Sequence, residues 1–110
     1  MNDEFEEGDT GVNRSSTEGK TDYLLVRDGP MFQRWAAWLS RFAPTRGKRN
    51  WMNAHEFSDL ERFVESAARH FEQWLNGEDD GEDHAAAIIF NINGAEYVKE
   101  KLMGEMDANA

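Results

Sequence analysis

The stretch from Ser58 to about Met103 leaves this chain few choices of fold, because two apolar series at helical spacing flank one short acidic turn. Leu60, Phe63, Val64, Ala67, Phe71, Trp74 and Leu75 fall on a single stripe at about 100° per residue, the pattern of a helix with one buried face. Ser58-Asp59-Leu60-Glu61 has the spacing of a capping box with Ser58 as cap, and Asn76-Gly77 supplies a left-handed stop. After Gly77 come Glu78, Asp79, Asp80, Glu82 and Asp83. Asp80 is placed to cap a second helix, and Glu82 and Asp83 complement its positive end. The second series is Ala86, Ile88, Ile89, Ile92, Ala95, Val98 and Leu102, with Asn93-Gly94 as a local weak point and Gly104 as a stop. A turn this short forces the two helices antiparallel and adjacent.

A third helix precedes them. Asp28-Gly29-Pro30 is a helix start, and Met31, Phe32, Trp35, Ala36, Leu39 and Phe42 form its stripe, with Trp38 just off it. It is expected to end near Ala43, before Pro44. Asp22 to Arg27 is apolar enough for one extended segment, and no sheet is expected. The resulting expectation is an all-α small helical bundle over residues 21–104, with a polar acidic arm over 1–20 and a short tail over 105–110. The arm, rich in Gly, Ser and Thr, is disordered by itself unless a neighbouring subunit or a groove holds it.

The chain has no cysteine, which excludes a disulfide framework, thiol chemistry and Cys-based zinc sites. No stretch approaches the roughly 20 apolar residues of a membrane span, so a soluble, cytoplasmic protein is expected. A core of this size leaves apolar surface uncovered, and a homo-oligomer is the common solution. The formal net charge is −10, from 12 Lys and Arg against 22 Asp and Glu, which opposes binding to a nucleic-acid backbone. Yet Pro30 to His55 contains no acid and holds Arg34, Arg41, Arg46, Lys48 and Arg49. Those five of the 12 basic residues leave 7 elsewhere against all 22 acids. One cationic segment on an acidic protein suits a compact polyanion such as a triphosphate.

That segment ends in the loop Thr45 to Phe57. Gly47 lets the backbone bend, Arg46, Lys48 and Arg49 offer donors to phosphate oxygens, Asn50 can pair with a base edge or ribose, and Trp51 can stack. A basic surface loop pinned by Trp51 has the same composition. On the helix after Ser58, Glu61, Glu65 and Glu72 project from one edge of the stripe and Ser66, His70 and Gln73 from the other, while Arg62 and Arg69 point away. The antiparallel turn brings His70 near His84, and Asn91 lies two turns beyond His84 on nearly the same face. A polar amide inside an apolar run needs a partner, which a substrate or a facing side chain supplies.

Gly47-Lys48-Arg49-Asn50-Trp51, Ser66-Ala67, Arg69-His70, Trp74, Gly77-Glu78-Asp79, Asp83-His84-Ala85-Ala86 and Asn91 occur in an order that resembles the phage dATP/dGTP diphosphohydrolase N-terminal-domain family. That family is itself similar to the all-α MazG-like nucleotide pyrophosphohydrolases. The resemblance spans roughly Gly19 to Leu102. It implies a MazG-like bundle that hydrolyses deoxynucleoside triphosphates to monophosphate and pyrophosphate, with a purine preference. Gly19-Lys20 resembles the family's Gly-Lys block, which implies a phosphate contact for Lys20.

Cleavage between the α and β phosphates needs a metal on phosphate oxygens, a positioned water and cations for developing charge. Mg²⁺ takes oxygen ligands, often one or two carboxylates with phosphates and water. The carboxylate candidates are Glu65, Asp80 and Asp83, with Glu78 behind them and Asp83 first. His70 or His84 is the candidate for orienting water or holding a phosphate. Lys20, Lys48, Arg49 and Arg69 are the phosphate-tail candidates, with Asn50, Trp51 and Asn91 lining the substrate groove. A nucleotide-binding module without turnover, a nucleotide phosphotransferase, and an acidic phage protein inhibiting a host protein remain as alternatives.

Overall fold

The computed structural model of the chain describes residues 5–7 and 11–108. Three helices carry the fold: α1 (Met31–Arg46), α2 (Phe57–Leu75) and α3 (His84–Ala108). The chain is an all-helical bundle in which α3 packs along α2 and against α1. Ahead of it, β1 (Phe5–Glu7) pairs antiparallel with β2 (Asn13–Ser15) in a short ribbon. Part of the arm expected to lack order is therefore paired. Residues 1–4 and 8–10 of that arm, and 109–110 of the tail, lie outside the described residues.

The helical hairpin forms as the sequence dictates at its turn and differently at its caps. At the end of α2, Gly77 takes φ 65°, its amide donates to Trp74 O and the Glu78 amide donates to Gln73 O, which satisfies the last carbonyls. At the start of α2 the cap is Glu56 and not Ser58. Asp59 Oδ2 accepts from the amides of His55 and Glu56, each at 3.0 Å, so Asp59 fills the capping-box role expected of Glu61. The α3 cap is likewise Asp83 and not Asp80: Asp83 Oδ1 accepts from the Ala86 amide at 3.1 Å. Asp80 instead folds the turn, accepting from the Glu82 amide.

Three further boundaries differ. Helix α1 passes through Pro44 to Arg46, because a proline in the last turn removes only one ladder bond; Gly47, at φ 87°, ends it. Tyr23–Arg27, expected to be extended, is a 3₁₀ turn capped by Asp22, whose Oδ1 accepts from the Leu24 amide. Helix α3 continues through Gly104 to Ala108, so residues 105–108 belong to it and not to a tail.

The register of the hairpin follows from side-chain pairs: His70 meets His84, and Phe63 meets Phe90 and Gly94. These pairs run in opposite directions along the two helices. The face of α3 turned inward carries Ala86, Ala87, Asn91, Gly94, Ala95 and Val98, while Ile92 of the expected stripe is half exposed. Small residues let α2 approach closely. A Cβ on Gly94 would lie 2.6 Å from the Phe63 ring, so this glycine is a contact point and not the weak point expected. The centre of α1 is Trp38, just off the apolar stripe of the sequence; it packs on Ala86 and Ala87, with Phe42 edge-on at 4.8 Å between ring centroids.

The core is thin. The radius of gyration is 19.3 Å, where a compact chain of this length takes about 13 Å. Large apolar side chains stay in water on α2, and Phe57, Val64 and Phe71 among them recur at heptad spacing, 64%, 51% and 45% exposed. Leu60, Ala67 and Trp74 fill the alternate heptad positions of the same helix.

Candidate functional site

Where α1 ends and α2 begins, the chain leaves a groove of about 1330 Å³ floored by Trp38, Phe90 and Asn91. One wall is the loop 47–56 and the other is the flank of α2 from Asp59 to Arg69. The loop is held in place by α3, through two residues the sequence reading passed over. Lys101 Nζ donates to Met52 O at 2.7 Å and to Ala54 O at 3.2 Å, and the Tyr97 ring meets Trp51 edge-on at 5.1 Å. Asn50–Asn53 is a 3₁₀ turn on this anchor. Arg49 before it takes φ 58°, a left-handed conformation that costs a residue with a Cβ about 1–2 kcal/mol.

The groove gathers Lys48, Arg49, Asn50, Trp51, Arg69, Asn91 and Glu65 of the sequence candidates. Arg46 and Arg62 line it as well, giving five cations against the three carboxylates Glu56, Asp59 and Glu65. The groove is thus locally positive on a protein of net charge −10. Arg46 is braced over the Phe42 ring, 4.4 Å from its centroid. Asn91 is buried on the floor, and its amide donates to Ala87 O at 2.8 Å, which meets part of its need for partners. Asp59 is already engaged: the amides of Glu56 and His55 hold its carboxyl below the ordinary value. Glu65 pairs with no basic side chain among the described residues. Lys20 lies outside the groove.

The other candidates collect elsewhere, at the turn between α2 and α3. His70 Nδ1 and His84 Nδ1 are 2.9 Å apart, and His84 Nε2 is 2.9 Å from Asp80 Oδ1. Glu82 Oε1 is 3.9 Å from His70 Nε2. Neither histidine lines the groove; Trp38 lies between, its ring edge-on to His70 at 6.4 Å. Asp83, first among the metal candidates, is engaged by Arg34, which donates Nε to Oδ2 at 2.8 Å and Nη2 to Oδ1. This bidentate pair ties α1 to the start of α3 and holds the Asp83 carboxyl below its ordinary value, with the Ala86 amide contributing. The same pair raises the Arg34 guanidinium. Asp80 is also held low, first by the Glu82 amide and then by His84.

The three metal candidates therefore do not meet. Glu65 faces the groove, while Asp80 and Asp83 are spent on His84 and Arg34. Among the described residues, Glu65 is the one of the three that faces the groove cations without a basic side-chain partner. No helix is long and apolar enough to cross a membrane among the described residues. Compared with known proteins, the chain matches no family model, no curated protein and no solved structure.

Proposed function

We propose that the groove binds a deoxynucleoside triphosphate and that the protein hydrolyses it to monophosphate and pyrophosphate, as a MazG-like enzyme of phage type would. The observation that carries the binding half is the gathering of Lys48, Arg49, Asn50, Trp51 and Arg69 around one groove on an acidic protein. Arg49 and Arg69 approach from opposite walls, so a phosphate tail between them receives donors from two sides. Trp51, steadied by Tyr97, offers a ring for the base, and Asn50 offers an amide for its edge. Glu65 would hold the Mg²⁺ that accompanies the substrate; that ion supplies neutralisation of the phosphate oxygens. The hydrolytic half, and the purine preference, rest on the sequence resemblance.

The placement of His70 and His84 behind Trp38 favours a second reading, a nucleotide-binding module without turnover. The two part in one experiment: each of the dNTPs and NTPs is incubated with the purified protein, with and without Mg²⁺, and the products are separated by ion exchange. Monophosphate with pyrophosphate supports the hydrolase. Unchanged nucleotide that still raises the melting temperature leaves the binding module, and diphosphate would overturn both.

The protein acts in this reading as a homo-oligomer, with α2 packed on α2 of a second copy. The support is the heptad seam of Phe57, Val64 and Phe71, exposed along a molecule too extended to bury it alone. Val64→Glu is expected to convert the sedimenting species to monomer; a wild-type chain that sediments as a monomer at micromolar concentration contradicts the oligomer.

A further inference from the structure

The imidazoles set back from the groove form a constellation of their own. We propose that His70, Glu82 and His84 bind a divalent transition-metal ion of the zinc class, with Asp80 orienting His84 from behind. Each of the three residues places a ligand atom within 4.8 Å of the other two. The site is independent of nucleotide binding in the groove.

The tautomers follow from what each atom can do. A carboxylate only accepts, so the 2.9 Å contact between Asp80 Oδ1 and His84 Nε2 puts the His84 proton on Nε2. The lone pair of neutral His84 is then on Nδ1, the atom that faces His70 Nδ1 at 2.9 Å. A carboxylate on the far nitrogen of a ligating histidine is the usual outer support of a metal-bound imidazole, fixing both tautomer and ring orientation. Asp80 occupies that position, and its own place is set by the Glu82 amide.

The spacing suits the ion. Two donors at 2.0–2.1 Å on a tetrahedral Zn²⁺ lie about 3.3 Å apart, so the imidazole pair opens only slightly to admit one. Glu82, whose side chain is 39% exposed in the turn, has a carboxylate oxygen within 4.8 Å of a ring nitrogen of each histidine and the freedom to close on the ion. The histidine side chains are 15% and 4% exposed, which keeps water from competing. A depression of about 310 Å³ lined by Glu82, Asp83 and His84 opens to solvent and gives an entry path. Two imidazoles and one carboxylate select a zinc-class ion over Mg²⁺, and three protein ligands leave a fourth position for water.

The test uses the full-length, untagged, metal-free protein, titrated with Co²⁺ as a spectroscopic probe and then with Zn²⁺ in competition. The proposal expects about one equivalent of Co²⁺ per chain, a visible absorption band typical of low coordination, displacement by Zn²⁺ and no displacement by millimolar Mg²⁺. Glu82→Gln, in the exposed turn and checked for fold by circular dichroism, is expected to weaken binding at least about tenfold, and Asp80→Asn about 10–100-fold. Glu100→Gln, an exposed carboxylate of α3 outside both sites, should leave the titration unchanged. Wild-type protein that takes up no Co²⁺ or Zn²⁺ overturns the proposal and leaves a histidine pair sharing a proton. Binding with an unchanged spectrum in Glu82→Gln and in a folded His70→Gln overturns it as well.

Discussion

The groove beside α2 and the turn at its end are built on one helix by opposite rules. In the groove the functional side chains are exposed cations from the end of α1, from the flank of α2 and from a loop that α3 anchors through Lys101 and Tyr97. At the turn they are a buried imidazole, His84, and a partly buried one, His70, among carboxylates, with the backbone amides of Ala86 and Glu82 fixing Asp83 and Asp80. Exposed cations hold a polyanion by charge and tolerate some freedom; buried imidazoles act through fixed tautomers and defined distances. Variants should therefore separate the two regions, with groove substitutions changing affinity at little cost in stability and turn substitutions changing both.

The largest effect is expected in the groove. Removing both Lys48 and Arg49 by alanine should weaken triphosphate binding about 100-fold or more, from charge-assisted bonds of about 1.5–3 kcal/mol each, while the melting temperature stays within a few degrees. Titration calorimetry beside thermal melting reads both quantities, and an unchanged affinity would remove the loop from the site. Next is Gly94→Ala, where the new methyl meets the Phe63 ring. Overpacking is expected to cost about 1–3 kcal/mol despite the better helix former, and Phe63→Leu in the same chain should restore part of it.

Asp83 separates charge from capping. Asp83→Ala removes the cap and the ion pair and is expected to cost about 1–2 kcal/mol. Asp83→Asn keeps a good cap, so its cost by denaturant titration should stay below about 1 kcal/mol, the range of an exposed pair. The carboxyls of Asp59 and Asp83 are both held low in the folded chain. Their contribution is present above the unfolded value near about 4 and is lost as pH falls through the folded values below it. The acid limb of the stability curve should accordingly flatten in Asp83→Asn; an identical limb would show that the pair contributes nothing. The smallest effect belongs to Arg49→Gly, where relief of the left-handed backbone and the entropy of glycine nearly cancel, leaving stability within about 1 kcal/mol while affinity falls as in Arg49→Ala.

Much of this was legible from residue spacing. Three helices, the Asn76-Gly77 stop and the meeting of His70 with His84 follow from periodicity and one short turn. The basic loop was legible from composition, because Pro30 to His55 contains no acid. The caps were misplaced by two or three residues, since Glu56, Ser58, Asp80 and Asp83 all have capping chemistry and the choice among them is made by tertiary contacts such as Arg34 on Asp83. The inner face of α3 escaped the reading because hydrophobicity favours its isoleucines, whereas close approach of Phe63 selects Gly94 and the alanines. The heptad recurrence of Phe57, Val64 and Phe71 was visible in the sequence, but its exposure was not. Lys101 and Tyr97 carried no signal, because a lysine that donates to loop carbonyls looks in sequence like any surface lysine.

The measurement that tests the groove most directly is a fluorescence titration of the protein with each dNTP, following the tryptophan signal with Trp51 and Trp51→Phe chains side by side. Saturable quenching that Trp51→Phe loses and Arg49→Ala shifts to far higher concentration is the expected result. Absence of saturable binding for every dNTP, in a wild-type chain shown to be folded, would contradict the account.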